Sequence, residues 1–229
     1  PVAAMQVVDD DDGAPHDAAV RFDPTDATGD ALAWIVDVPV LEQRLREAVG
    51  YQGGIEVLHS ADGVDAALTV VCEGKRSSSR AAFGFEFDTR PYPHTAVAAR
   101  LQCEQPHGGV ARQWFRAGEI MAWLPLDGPQ GCRVALVWSV SHERAADLLA
   151  LAPEALAKAV QAAGHASLGG MQLVGTPAGW PLELSRARRW VMRHGAMGVA
   201  LAGDAAHAMH PLAGQGLNVG LGDVAKLAR

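Results

Sequence analysis

The fold of this chain is decided by one stretch, Val199-Ala-Leu-Ala-Gly-Asp-Ala-Ala-His-Ala-Met-His-Pro-Leu-Ala-Gly-Gln-Gly-Leu-Asn218. Residues 199–202 are small and apolar on both faces, which predicts a short buried strand. Gly203 and Asp204 follow at the carboxyl end of that strand. Gly214-Gln215-Gly216 then opens a predicted helix, because apolar residues recur beyond it at helical spacing. The stretch therefore predicts a strand, a glycine-containing loop and a helix.

Two interpretations of this stretch are equally supported by its spacing. In the first, the Asp204 carboxylate accepts hydrogen bonds from ribose or ribitol hydroxyls at the strand end. The loop containing Pro211 then lets backbone approach a flat ligand, and the N–H groups at the helix start face an electron-rich ligand edge. In the second, the stretch is an ordinary strand and packed helix with Asp204 as a helix cap.

Composition places the chain among globular proteins. It has 229 residues, of which 49% are apolar and 20% charged, enough for one or two domains. The net charge of −7, four units of which come from residues 9–12, argues against a nucleic-acid partner. No apolar run is long enough to cross a bilayer, so we expect a cytoplasmic location. Cys72, Cys103 and Cys132 form no CxxC pair, which favours reduced thiols.

The fold class predicted for the chain is α+β with a mixed, largely antiparallel sheet. Four extended runs between His94 and Ser141 predict antiparallel strands that carry Trp114, Trp123 and Trp138. Two helices are expected next, beginning near residues 141 and 153. In the first sixty residues, short strands at 5–8, 20–22, 34–38 and 55–58 are predicted around one helix that begins at residue 39.

The C-terminal stretch resembles the second FAD-binding motif of the flavoprotein aromatic hydroxylases, which include p-hydroxybenzoate hydroxylase-like enzymes. It is most similar to the ubiquinone-biosynthesis hydroxylases, through Gly203-Asp204-Ala-Ala-His207, then Pro211-Leu-Ala-Gly-Gln-Gly-Leu-Asn218, and Asp223. The resemblance implies that the aspartate holds the ribityl part of FAD, with the loop and helix start beside the flavin ring. The FAD-binding residues implied are Gly203, Asp204, Pro211, Gly214, Gln215, Gly216 and Asn218.

A second motif supports the same family. Glu73-Gly74-Lys-Arg-Ser-Ser-Ser-Arg80 is similar to the family's Asp-Gly-x-x-Ser-x-x-Arg, with glutamate in place of aspartate. The resemblance implies that Glu73, Gly74 and Arg80 serve FAD and the passing nicotinamide nucleotide. Ala61-Asp62-Gly63 lacks the required serine and arginine.

One family feature is missing from this sequence: the βαβ unit whose Gly-x-Gly-x-x-Gly loop holds the FAD pyrophosphate. Gly220-x-Gly222-x-x-Ala225 matches only the bare pattern, inside a predicted helix. We therefore expect a portion of a hydroxylase that binds FAD weakly by itself. The predicted domains are a partial FAD-binding domain at 1–90, an antiparallel-sheet substrate domain at 91–192, and a return to the FAD-binding domain at 193–229.

The resemblance implies an FAD-dependent monooxygenase that uses NAD(P)H and O₂. Its substrate would be a polyprenylated phenol of ubiquinone biosynthesis, which implies peripheral association with a membrane or a biosynthetic complex. No catalytic residue is identified. Two alternatives stay open: a monooxygenase of a small soluble aromatic, and a flavin-free lipid-binding or scaffold fragment.

Three further features have competing interpretations. His207 and His210 could bind a metal, but no carboxylate or cysteine stands at a matching spacing, so no metal site is expected. The arginines at 186, 188, 189 and 193 fit a solvated strand edge better than a phosphate or membrane contact. The sheet tryptophans and Met121 favour a core, although the family resemblance raises the alternative of an apolar substrate channel.

Overall fold

A computed structural model describes residues 1–9, 20–25, 29–61, 63–209 and 214–229. They form two compact units, each made of two chain segments. The first contains Pro1–Glu56 and His94–Trp180, and the second Val57–Pro93 and Pro181–Arg229. Residues 1–56 thus belong to the first unit, whereas residues 1–90 were grouped with the flavin-binding part from the sequence. The three-part domain division stays a prediction.

The secondary structure alternates between strands and short helices. In chain order the elements are β1 (Ala4–Asp9), β2 (Val20–Phe22), α1 (Val38–Gly50), β3 (Leu68–Val71), α2 (Ser78–Ala82), β4 (Phe87–Cys103), β5 (Val110–Arg116), β6 (Glu119–Leu126), β7 (Arg133–Ser141), α3 (His142–Ala150), α4 (Pro153–Ala163), β8 (Met171–Ala187), β9 (Val191–His194), β10 (Met197–Leu201), β11 (His207–Ala208) and α5 (Gly216–Leu227).

These strands form a mixed sheet of eight and a second sheet of three. The large sheet has the order β11-β8-β4-β7-β6-β5-β1-β2. Its β4–β7, β7–β6 and β6–β5 pairs are antiparallel, whereas β1 runs parallel to β5. The small sheet has the order β3-β10-β9, with β10 parallel to β3 and antiparallel to β9. The predicted α+β class with a mixed sheet is confirmed.

The core of the first unit lies between the sheet and two helices. Alternate residues of β4 and β7 are buried because successive strand side chains point to opposite faces. Helix α3 begins where the Ser141 hydroxyl accepts a hydrogen bond from the Arg144 N–H at 3.2 Å, and α4 begins at Pro153. Both predicted helices are confirmed. The buried cluster they share with the sheet includes Val97, Leu101, Leu136, Leu148, Leu156 and Val160.

Two strand predictions in the first sixty residues are wrong. Residues 34–37 and 55–58 have no regular structure, and α1 already begins at Val38. Pro39 occupies the first turn of that helix, where its missing N–H costs nothing. An apolar run becomes a strand only when a neighbouring strand pairs with its backbone, and residues 55–58 are exposed. Across the part of the chain described, no helix is both long and apolar enough to span a membrane.

Candidate functional site

The second unit brings the ends of two parallel strands together. Leu201 pairs with Val71 in register, and the Ala202 N–H donates to the Val71 carbonyl at 3.1 Å. Because β3 and β10 are parallel, their carboxyl ends share one edge of the small sheet. Glu73 follows one strand and Gly203 the other. The two motifs singled out from the sequence therefore begin side by side.

The turn after β10 is a single 3₁₀ turn over Gly203–Ala205. Gly203 has φ of +60°, a left-handed conformation that residues with a Cβ adopt only at a cost. Its N–H donates to Oδ2 of Asp223 at 3.0 Å. Asp204 is exposed, and no described residue donates a hydrogen bond to its carboxylate. The turn thus leaves that carboxylate available to a ligand.

A buried hydrogen-bonded pair lies behind the turn. His207 Nε2 is 2.7 Å from the same Oδ2 of Asp223, and the two side chains are 9% and 8% exposed. The Trp190 ring packs against the His207 imidazole, with ring centroids 5.0 Å apart. Sequence reasoning quoted Asp223 as part of the motif but left it out of the site. Its signal was the single carboxylate in a helix whose other residues are mostly apolar.

The N-terminus of α5 carries the glycine-rich part of the motif. The helix begins at Gly216, and its first N–H groups receive no side-chain cap from Gln215. Asn218 donates its side-chain amide to Oε1 of Gln215 at 3.3 Å. A Cβ placed on Gly214 or Gly216 would meet no described atom within 4 Å, so the space beside them is free of the described residues. Pro211 and His210 lie outside the described residues.

Glu73 holds the turn that leads into α2. Its carboxylate accepts hydrogen bonds from the Ser77 hydroxyl at 2.5 Å and the Ser79 hydroxyl at 2.8 Å. The hydroxyl of Ser77 in turn accepts from the Arg80 N–H at 3.1 Å and caps the helix. The serine hydroxyls stabilise the ionised carboxylate, so they lower the pKa of Glu73. Gly74 takes the left-handed conformation, with φ of +78°.

Arg80 connects the second motif to the turn that contains Asp204. One guanidinium nitrogen lies 3.4 Å from the Ala205 carbonyl, and the other donates to the Lys75 carbonyl. The guanidinium also stacks on the Phe87 ring, 4.0 Å from its centroid. Residues 125 positions apart in the chain therefore meet at this arginine.

The residues present fit the chemistry of FAD. The free Asp204 carboxylate can accept from ribityl hydroxyls, and the uncapped N–H groups of α5 can face the electron-rich pyrimidine edge of the flavin. The glycines at 214 and 216 have no side chain, and a Cβ on either would meet no described atom, so no described side chain blocks a planar ring there. A buried polar atom, His207 Nδ1, has no hydrogen-bond partner among the described residues. Contact between FAD and any of the predicted site residues stays a prediction.

The sheet tryptophans belong to the core and do not line a channel. Trp123 is fully buried, and Trp114, Trp138 and Met121 are 4%, 2% and 2% exposed. All four lie in the cluster that α3 and α4 cover. The core interpretation is confirmed, because these side chains are buried in that cluster.

The arginine run is partly paired with acids. Arg188 forms ion pairs with Asp88 at 3.0 Å and Glu86 at 3.2 Å, and both raise the pKa of its guanidinium. Arg186 and Arg189 are exposed at a cleft of about 520 Å³ beside Trp190. The paired arginine fits a solvated strand edge.

Cysteines and metal ligands add no site within the described residues. Cys72 is exposed, Cys103 and Cys132 are buried, and none of the three is in a disulfide. Burial raises the pKa of Cys103 to about 11. No cluster of three or more metal-ligating side chains occurs in the described part of the chain.

Residues 54–229 match the FAD binding domain family. Because this match covers most of the chain, the chain belongs to that family of flavoproteins. It is 37% identical over 171 residues to the ubiquinone hydroxylase UbiL of Rhodospirillum rubrum, covering 75% of this chain and 38% of that protein. It is 31% identical over 195 residues to the ubiquinone biosynthesis monooxygenase COQ6 of Homo sapiens, and this match covers 70% of this chain and 40% of COQ6.

A further relative is the 3-demethoxyubiquinol 3-hydroxylase of Escherichia coli, 29% identical over 226 residues. That match covers 90% of this chain and 56% of the relative, so the chain spans only part of these enzymes. Among solved structures, PqsL of Pseudomonas aeruginosa superposes on 99% of the chain with a TM-score of 0.67 and 20% identity, covering 66% of PqsL. Aklavinone-11 hydroxylase, solved with FAD and aklavinone, superposes on 69% of the chain with a TM-score of 0.55 and 24% identity, and the match covers 29% of that hydroxylase. These two likenesses establish the fold.

Proposed function

We propose that this chain is part of an FAD-dependent monooxygenase that hydroxylates the aromatic ring of a polyprenylated phenol in ubiquinone biosynthesis. The support from relatives is consistent, since three of them carry ubiquinone hydroxylase names. The observation that carries the proposal is the placement of Gly203-Asp204 and Arg80 at one sheet edge, joined through the Ala205 carbonyl.

The roles proposed for the site residues follow from their geometry. Asp204 would accept hydrogen bonds from ribityl hydroxyls of FAD, and the start of α5 would face the flavin ring. When bound, FAD with NAD(P)H as reductant and O₂ supplies the oxygen-transfer chemistry. The N–H groups of α5 would stabilise negative charge on the ring, because the helix dipole places partial positive charge there. Arg80 and Glu73 would shape the loop beside the site through the contacts already described.

The substrate class is supported by the sheet face opposite the tryptophans. On that face the register places Ala98 beside Val137, Val137 beside Ala122, and Ala122 beside Gln113. The three aliphatic residues are half-buried, and their side chains are small. An apolar floor with one polar side chain suits a phenol that carries a hydrocarbon tail. Peripheral association with a membrane, where such substrates reside, is part of the proposal.

A ligand titration tests the substrate class. The chain is titrated with a phenol carrying a short polyprenyl tail and, separately, with 4-hydroxybenzoate, and tryptophan fluorescence reports binding. We expect the prenylated phenol to bind at least about tenfold more tightly, since each buried CH₂ contributes about 0.8 kcal/mol.

The Ala122→Glu variant is the specificity control for that titration. A carboxylate on the apolar floor should abolish the preference for the prenylated phenol, because a bound hydrocarbon tail would bury an unpaired charge. Equal affinity of the parent chain for both phenols would contradict the polyprenyl substrate and favour a small soluble aromatic. If Ala122→Glu kept the preference for the prenylated phenol, the polyprenyl tail would have to bind away from this sheet face.

A further inference from the structure

Asp223 contacts two segments that both belong to the candidate FAD site. Its Oδ2 accepts from the Gly203 N–H at 3.0 Å and from His207 Nε2 at 2.7 Å. Gly203 is the residue before Asp204, and His207 follows three residues after it. The carboxylate therefore holds both ends of the turn that presents Asp204, from a position in the second half of the 12-residue helix α5.

The helix and the turn are also in direct backbone contact. A Cβ built on Gly220 would lie 3.4 Å from Cα of Gly203, so helix and turn approach each other closely at this point. This approach places the carboxylate of Asp223 within reach of the turn. The helix whose N-terminus should face the flavin ring is thereby fixed to the turn that should hold the ribityl chain.

The surroundings of the Asp223–His207 pair are largely apolar, so its hydrogen bonds are costly to break. Counted over the whole residue, Asp223 is 7% and His207 8% exposed, and the Trp190 ring packs on the imidazole. The pKa of the Cys72 thiol is raised, mainly by burial and in addition by the negative charge of the nearby Asp223 carboxylate. A buried carboxylate must keep its donors, because an unpaired charge in an apolar environment is strongly destabilising.

We propose that Asp223 and His207 act as a positioning pair for FAD binding, by fixing the turn at Gly203 so that Asp204 is correctly oriented before FAD arrives. This inference rests on the proposed role of Asp204. A preorganised carboxylate binds its partner more tightly because the ordering cost is met during folding. Neither Asp223 nor His207 needs to touch FAD for this effect.

A double-mutant cycle tests the proposal on the full 229-residue chain. The parent, Asp204→Ala, Asp223→Asn and the double variant are each titrated with FAD, and flavin fluorescence gives the dissociation constants. If Asp223 acts through Asp204, the two effects must be non-additive. We expect Asp223→Asn to weaken FAD binding about tenfold in the parent, and less than about twofold in the Asp204→Ala background. Asp65→Asn, the same chemical change at an exposed position, should stay within about twofold.

The outcomes separate this inference from the proposed function. An equal loss from Asp223→Asn in both backgrounds would overturn the positioning role. Parent-like affinity in Asp204→Ala would overturn the FAD site itself and the inference with it. Amide hydrogen exchange without FAD provides a local readout: Gly203 should exchange faster in Asp223→Asn while the β3 and β10 amides keep their protection. General destabilisation would instead accelerate all of them.

A second pair of variants covers the case in which Asp223→Asn does not fold. His207→Ala removes the donor to Asp223, whereas His207→Gln replaces it with a side-chain amide that can still donate. We expect His207→Ala to weaken FAD binding several-fold and His207→Gln to recover most of that loss. Parent-like FAD affinity in both variants would contradict the proposal.

Discussion

Replacing Asp204 by alanine removes the carboxylate on which the proposed FAD site depends. The residue is exposed, and none of the described residues donates to its carboxylate, so the change breaks no described hydrogen bond of the folded chain. Its backbone turn stays anchored by the contact of Gly203 with Asp223. The folded structure should therefore survive, and the loss should fall on ligand binding alone.

The size of that loss follows from the kind of hydrogen bond removed. A carboxylate that accepts from a hydroxyl contributes about 1.5–3 kcal/mol, which corresponds to about a 10- to 150-fold change in the FAD dissociation constant. Fluorescence titration with FAD measures the change, and circular dichroism confirms that the variant is folded. Asp65→Ala removes the same charge from an exposed position of the same unit and should change the dissociation constant by less than about twofold.

Three results would refute the reasoning. Parent-like FAD affinity in Asp204→Ala would show that the ribityl chain does not contact this carboxylate. An equal loss in Asp65→Ala would show that the effect is a general consequence of net charge. A melting temperature of Asp204→Ala well below that of the parent chain would contradict the view that this carboxylate has no structural partner.

Two further predictions concern stability. Gly164→Ala should lower the free energy of unfolding, measured by urea denaturation, by about 1–3 kcal/mol, because the new Cβ would lie 2.0 Å from the buried Trp123 ring. In the control Gly222→Ala the new Cβ meets no described atom within 4 Å, so the free energy of unfolding should rise by about 0.5–1 kcal/mol. Equal effects of the two substitutions would contradict the packing at Trp123. Glu73→Gln should lower the melting temperature of the chain at neutral pH. Because the folded-state pKa of Glu73 is lowered, the difference in melting temperature between parent and variant should disappear as the pH falls through that pKa. A difference that stays constant across acid pH would contradict the stabilising role of the serine contacts.

Much of the fold could be predicted from local patterns. Alternating apolar residues predicted β5, β6 and β7, and Ser141 and Pro153 predicted the starts of α3 and α4. The strand before Gly203 and the helix after Gln215 were predicted in the same way. These predictions succeeded because strand alternation and helix caps depend on residues only a few positions apart.

Long-range pairing decided the elements that sequence missed. Residues 34–37 and 55–58 have the apolar composition of strands, yet neither run pairs with a described strand. A single bridge between Val2 and Ala33 stands just before the first run. Burial also decided the role of the tryptophans: Trp123 and Trp138 could have lined a channel, but α3 and α4 cover their face of the sheet. Neither outcome is encoded in the local residue pattern.

The sequence by itself determined the chemistry available to the site: a carboxylate at Asp204, a glycine-rich helix start, and an arginine at position 80. Only the tertiary structure decided that Arg80 reaches the Ala205 carbonyl and that Asp223 holds Gly203 and His207. The physical reason is that these contacts join groups 16 to 125 residues apart. They exist only once the elements that carry those groups have packed together, and packing at least partly removes the water that competes for the groups.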